Sequence, residues 1–277
     1  MPVRESGPYG AETVAVRSSC QRSRSCAACC CASVLMGSTF PYGLHEPEVR
    51  PECGAVVRGA EDPSFLEERD DLVDEVVEPR VAAFEAILPA LGSGKYDVGT
   101  GDFGVTDERR KTIDFVTYLN DGQGFAVRDD SELGKVTDLT QLCGLTVGTA
   151  AGTTFEVTLE ESRHRCSEAG KKPYDVKTYS DPAAVWSSLQ QGRTDIVMST
   201  INGLRYAVKQ QEGVRFLNEF ARLDVGFAFK KGTPPAPAFR AAVSSLEADG
   251  TYDRILKKCG IDESAIKASR ISPPEIK

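Results

Sequence analysis

The sequence predicts an α/β protein made of two related lobes, and three observations carry that prediction. Residues 82–100 read AAFEAILPALGSGKYDVGT and residues 183–200 read AAVWSSLQQGRTDIVMST, two copies of one helix–turn–strand unit. From about Phe84 onward, helical and strand patterns alternate, the order that builds a sheet with helices on its faces. Two similar strand texts, Gly124-Phe-Ala-Val-Arg128 and Val225-Gly-Phe-Ala-Phe-Lys230, bracket a central block.

The repeat is in register. Leu91 and Leu189, Gly94 and Gly192, Lys95 and Arg193, and Asp97 and Asp195 are each separated by 98 positions. In the first copy Phe84, Ile87, Leu88 and Leu91 form an apolar stripe at helical spacing; in the second, Val185, Trp186 and Leu189 do so. Each stripe runs into a glycine, which supplies the left-handed helix stop. A basic residue, an aspartate and a short β-branched strand follow. Asp181-Pro182 adds a cap and a first-turn proline to the second helix. Shared grammar between unrelated αβ units would not match four features in register, so the copies read as related lobes.

The remaining elements follow the same logic. Leu145–Gly148 reads as a strand, Thr149–Gly152 as a turn, and a helix starts at Thr153. Val176–Tyr179 is a strand leading to the Asp181 helix. Thr106-Asp-Glu-Arg109 opens a short helix with Thr106 as its cap. Residues 236–259 form C-terminal helices with Phe239, Val243, Leu246, Tyr252, Ile255 and Leu256 on their buried sides. The expected domains are a discontinuous lobe 1, residues 81–125 plus 226–277, and a continuous lobe 2, residues 126–225. The two bracketing strands would be the crossings between them.

Residues 1–80 are a different text. Six of the nine cysteines fall in the first 53 residues, and residues 1–94 contain eight arginines and no lysine. A metal site is one reading, since Cys26 and Cys29 have zinc-like spacing and His45 lies downstream, but no second well-spaced pair follows. An export leader is another, but Cys29 lacks the charged-then-apolar sequence before it. Out-of-frame translation accounts for more: a leucine run coded CTG, read one base later, gives the TGC text of Cys30-Cys31, and GC-rich DNA read off frame gives Arg without Lys. On that reading the segment is not native-like and lobe 1 is incomplete at its N-terminus.

Composition narrows the function. The 277 residues are 40% hydrophobic and 27% charged, as in a water-soluble globular protein. A net charge of −8 argues against a general binder of nucleic acid or anionic membranes.

Four blocks carry a resemblance: FEAILPALGSGKYDVG, FGVTDERRKTIDFVTY, LCGLTVGTAAGTT and LEADGTYDRILKKCGI. Together, over about residues 80–265 and in this order, they resemble the bacterial extracellular solute-binding proteins of family 3, the amino-acid-binding components of ABC transporters. The resemblance implies a two-lobed periplasmic-binding-protein-like fold (type II) that closes on one small ligand without catalysis or cofactor. It also implies an ABC permease as partner, a monomer, and an extracellular or periplasmic location with lipid anchoring as one route. Open α/β sheets bind ligands outside strand carboxyl ends, which agrees.

Within this pattern Arg109 is expected to hold the ligand's carboxylate, with Thr106 capping its turn. Gly152, Thr153 and Thr154 are expected to supply backbone N–H groups and hydroxyls from a second helix start. Amino-acid binders often place a hydroxyl residue where this chain has Gly104, and an aspartate for the ligand's ammonium where it has Thr200, beside Ser199. A buried amine without that carboxylate would lack its charge partner; Asn202 and Asp102 are the substitutes in view. Phe103 is the nominee for the family's stacking aromatic. Cys143 and Cys166 flank the helix that starts at Thr153, where related proteins often carry a disulfide, the alternative being two buried thiols. A metal ligand set is not expected in the site.

Two further readings compete with an importer's binding protein. One is a dehydratase on the same fold, which needs an acid–base group in the cleft; His164 sits in a charged run and reads as a solvated helix face, leaving Asp102 and Glu156. The other is a non-functional product of a frame-disrupted gene.

Overall fold

The computed structural model describes residues 14–17 and 78–276. Its strands are β1 (Val14–Arg17), β2 (Glu78–Val81), β3 (Val98–Gly104), β4 (Ile113–Arg128), β5 (Thr146–Ala150), β6 (Asp175–Tyr179), β7 (Ile196–Thr200) and β8 (Val214–Lys230). Its helices are α1 (Phe84–Gly92), α2 (Thr154–Ser162), α3 (His164–Glu168), α4 (Pro182–Gln190), α5 (Ile201–Gln210), α6 (Pro235–Ala248) and α7 (Thr251–Cys259). The strands join in one sheet of order β2-β1-β3-β8-β4-β7-β5-β6. Cys26, Cys29, His45 and nearly all of the segment 1–80 lie outside the described residues.

The repeat survives in atomic detail. Ser93 N–H donates to Pro89, Gly94 to Leu91 and Lys95 to Ala90; 98 residues later Gln191 donates to Ser187, Gly192 to Leu189 and Arg193 to Ser188. Gly94 and Gly192 both sit in left-handed backbone, at φ 76° and 68°, where a side chain would be strained. Asp181 caps α4 by accepting from Ala183 N–H at 2.9 Å, with Pro182 following. Each copy then delivers a strand that pairs antiparallel with a long crossing strand: β3 with β8, and β7 with β4.

Those crossings are longer than the sequence texts. β4 and β8 pair antiparallel from Ile113↔Lys230 to Arg128↔Val214, running through both lobes. Asn120-Asp121-Gly122 reads as strand-breaking text, yet it lies mid-strand where the ladder changes register between Thr117 and Leu119 and again between Gln123 and Gly124. Bulges of this kind bend and twist a strand. A Cβ on Gly122 would come within 2.1 Å of the Ala221 carbonyl oxygen, so only glycine admits this approach.

Both faces of each lobe are covered. In lobe 1, Val116, Phe227 and Phe229 face Phe239, Val243 and Leu256 of the C-terminal helices, while Phe115 and Ala228 face Ile87 and Leu91 of α1. In lobe 2, Phe125, Val127, Ile196 and Met198 face the α2 side, while Ala126 and Val197 face Trp186, Leu189 and Leu204. The alternation is the period-2 signature of strands buried on both sides. β5 runs parallel to β6 and β7, whereas β3 has the short antiparallel β1 and β2 on its outer side. Cys143 and Cys166 form a disulfide inside lobe 2.

The turn bearing Arg109 departs from expectation. A three-residue 3-10 turn, Arg109–Lys111, replaces the short helix. Thr106 still caps it, accepting from Arg109 N–H at 3.2 Å. The C-terminal segment pins this turn from outside: Arg110 Nε donates to Ser272 O at 2.9 Å, and Asp107 N–H to Glu275 Oε2 at 2.9 Å.

Candidate ligand-binding site

A cavity of about 580 Å³ lies between the lobes, within the usual size of small-molecule sites. Asp102 and Gly104 reach it from the end of β3, Arg109 from its turn, Thr153 and Thr154 from the start of α2, and Ser199 and Thr200 from the end of β7. Residues scattered over a hundred positions meet because strand carboxyl ends from both lobes open on one cleft.

Arg109 spans that cleft. Its Nη1 donates to the Gly104 carbonyl at 3.1 Å and its Nη2 to the Gly152 carbonyl at 2.9 Å, so one guanidinium touches both lobes. Burial pulls its pKa down to about 10, which leaves it charged at neutral pH. Among the described residues no carboxylate pairs with it. A half-buried cation held only by neutral carbonyls has its strongest unmet interaction with an anion. Arg110 instead turns outward to Asp107 and Ser272.

The start of α2 offers less than the sequence promised. Gly152 N–H is taken by Glu156 Oε2 at 2.7 Å, and the Thr153 hydroxyl donates to Ala150 O at 2.7 Å while accepting from Glu156 N–H. Gly152 contributes its carbonyl to Arg109 rather than a donor to an anion. Thr154 faces the cleft: its Oγ1 lies 3.6 Å from where a Cβ on Gly104 would stand. The hydroxyl absent from β3 at position 104 is thus offered from the opposite lobe. The same geometry explains the glycine, since that Cβ would also come within 2.4 Å of Leu223 Cδ1.

Other expectations resolve unevenly. Phe103 is fully buried and stacked on Phe84 at 4.8 Å in the lobe 1 core, so it is not the cleft aromatic. Phe84 and Trp186 line the cavity instead. Both were legible only as helix stripes, because sequence spacing does not say which end of a stripe opens on the cleft. His164 is exposed and lies 3.8 Å from Glu168, the solvated helix face expected of it. Among the described residues no group of His, Cys, Asp and Glu could hold a metal ion.

Behind Asp102, which lines the cavity, lies a second carboxylate that sequence reasoning missed, Asp121. Tyr118 Oη donates to Asp102 Oδ1 at 2.7 Å. Asp121, fully buried in β4, accepts from Asn202 N–H at 3.2 Å through Oδ1, while its Oδ2 has no hydrogen-bond partner among the described residues. Burial first, and then the charge of Asp102, hold the Asp121 carboxyl up to about 7, against the lowering pull of Arg222 and two backbone N–H groups. Burial likewise raises Asp102, against its bond from Tyr118.

That shift has a stability consequence. A carboxyl with a raised folded-state pKa keeps a proton the unfolded chain has lost, so its stabilising contribution disappears as pH rises from about 4 through 7. Asp121→Asn keeps an oxygen for Asn202 N–H and removes the titration. Denaturant unfolding at pH 5 and pH 8 should show the wild type losing on the order of 2 kcal/mol more than the variant across that interval. Parallel losses would contradict the assignment.

Comparison with known proteins places this geometry. Residues 72–260 match the model of the bacterial extracellular solute-binding proteins, family 3. The chain belongs to that family. Among its relatives, the arginine-binding protein ArgT of Corynebacterium glutamicum is 29% identical over 197 residues, 70% of this chain and 64% of the relative. The L-cystine-binding protein TcyJ of Escherichia coli is 28% identical over 179 residues, 63% of this chain and 64% of the relative. The chain therefore spans a little under two thirds of the length of these relatives. An ancestral arginine-binding protein bound to arginine superposes with a TM-score of 0.58 at 30% identity, covering 65% of this chain and 78% of that one. The ancestral amino acid-binding protein AncCDT-1, a precursor of cyclohexadienyl dehydratase, superposes at 0.57 with 25% identity, covering 65% and 76%. The two-lobed periplasmic-binding-protein fold expected from the sequence is thus the family's own.

Proposed function

We propose that this family 3 protein captures a small carboxylate-bearing solute, a polar amino acid, between its hinged lobes and delivers it to an ABC permease. The supporting observation is Arg109, a half-buried guanidinium that bridges both lobes and has no carboxylate of the protein paired with it among the described residues. A carboxylate entering between the lobes would meet this fork with two parallel hydrogen bonds, and Thr154 would add a hydroxyl from lobe 2. The relatives' names point to arginine and cystine as ligands of those proteins, both of which carry the required group.

We place the protein outside the cytoplasmic membrane, as a monomer, with lipid anchoring as the means of retention. The disulfide in lobe 2 fits an oxidising compartment, and no helix among the described residues is long and apolar enough to cross a membrane. Calorimetric titration with L-arginine, L-glutamine, L-cystine and glutarate tests the reading. Saturable one-to-one binding of at least one is expected; binding of none would overturn it. Turnover of a cyclohexadienyl acid by the protein alone would instead favour the dehydratase alternative, with Asp102 or Glu156 as its acid. A chain with no cooperative thermal transition would favour the damaged-gene alternative.

A further inference from the structure

We propose that Asp102 is the receptor for a cationic nitrogen on the solute, so that lobe 1 supplies both the anion anchor and the counter-charge for an amine. The proposal rests on the carboxylate reading above and adds a second charged contact to it.

The internal repeat locates the residue. Asp102 and Thr200 are separated by the same 98 positions as the rest of the repeat, so Asp102 holds in β3 the place that Thr200 holds at the end of β7. Both line the cavity. Lobe 2 has a hydroxyl at this place and lobe 1 a carboxylate. The Thr200 hydroxyl is committed to capping α5, where it accepts from Gly203 N–H at 3.1 Å. Asn202 is committed as well: its Nδ2 donates to Ser264 Oγ at 2.9 Å, and its Oδ1 accepts from the same hydroxyl at 3.1 Å. Glu263, on the cavity wall, is paired with Arg205 at 2.6 Å. Asp102 is two residues from Gly104, whose carbonyl holds Arg109. The left-handed turn of the chain at Asp102, φ 54°, lies in the stretch where β3 shifts register against β8, between Gly99 and Phe103, and both Asp102 and Arg109 line the same cavity.

The surroundings favour a cation there. Asp121 lies close enough for its charge and that of Asp102 to oppose each other, and one of its oxygens is buried without a hydrogen-bond partner among the described residues. Arg222, the cation that acts on Asp121, is itself bound to Glu219 at 2.8 Å. Arg222, already shared with Glu219, acts on Asp121 and not on Asp102, which has only the Tyr118 hydroxyl against it and is left short of positive charge. An ammonium against Asp102 would supply it.

The test compares amino acids with their desamino counterparts: L-arginine against 5-guanidinopentanoate, and L-glutamine against glutaramate. Wild type should bind the better amino acid at least about tenfold more tightly than its desamino form. Asp102→Asn should weaken the amino acid by roughly a hundredfold and leave the desamino form within a few-fold, because only the ammonium contact is lost. Asparagine tolerates the left-handed backbone at this position, φ 54°, and a thermal scan checks that the variant folds. Equal wild-type affinity for the two forms would overturn the proposal without any variant. So would equal losses for both in Asp102→Asn, which would mark a structural role. Binding of neither form by wild type would overturn the carboxylate reading itself.

Discussion

Arg109→Ala is expected to weaken solute binding by about a hundredfold, because truncation removes a half-buried charged partner that neutral groups do not replace. Arg109→Lys should also weaken it. Lysine keeps the charge but cannot reach the Gly104 and Gly152 carbonyls and a carboxylate together from one planar fork. Arg110→Ala should do little to affinity, since Arg110 points to Asp107 and Ser272 on the outer side of the turn. Thr154→Ala should cost about tenfold, the loss of one hydroxyl contact. The chain has a single tryptophan, Trp186, and it lines the cavity, so intrinsic fluorescence can follow each titration. A neutral Arg109 with a sensitive Arg110 would mean that the carboxylate sits elsewhere.

Opening the Cys143–Cys166 bond should lower the unfolding free energy by about 3 kcal/mol on the chain-entropy estimate for a closed loop of this length. The sequence separation is 23. The bond also has a packing role. Cys166 is fully buried with Leu142, Leu159 and Tyr174, and it ties α3 to the turn before β5. α2, which carries Thr154, lies within the closed loop, so the reduced protein should also lose affinity. Urea unfolding of wild type and of a Cys143→Ser, Cys166→Ser double variant checks the size. Identical midpoints would show that the bond constrains nothing.

Much of the fold was legible because its signals are local. A helix stripe, a glycine stop and a short strand can be read within twenty residues, and the 98-residue repeat then shows that the unit recurs. Arg109, Thr154, Ser199 and Thr200 could be nominated because each lies at an element boundary that sequence marks. What escaped was decided by distant neighbours. Phe103 and Phe84 are both apolar text, and only the three-dimensional course of β3 puts the first in the core and the second on the cavity wall. Asp121 sits in text that reads as a turn, and its state depends on Asp102, Asn202 and Arg222, which come from three other elements. The commitment of Gly152 N–H to Glu156 is a local bond, but a glycine before a helix start reads equally well as an open anion site.

On the proposed function, solute bridges the two lobes and holds them together. Several bonds already cross the cleft: Arg109 to Gly152, Ser180 Oγ to Glu85 Oε1 at 2.8 Å, and Asn202 to Ser264. A solute that engages Arg109 from one side and Thr154 from the other should shift the open–closed equilibrium toward this arrangement. Small-angle scattering of the protein alone and with a saturating concentration of the amino acid that binds most tightly in calorimetry tests this directly. A smaller radius of gyration is expected in the bound state, with the compaction lost in Arg109→Ala at the same amino-acid concentration; an unchanged radius at full saturation would mean that solute does not draw the lobes together.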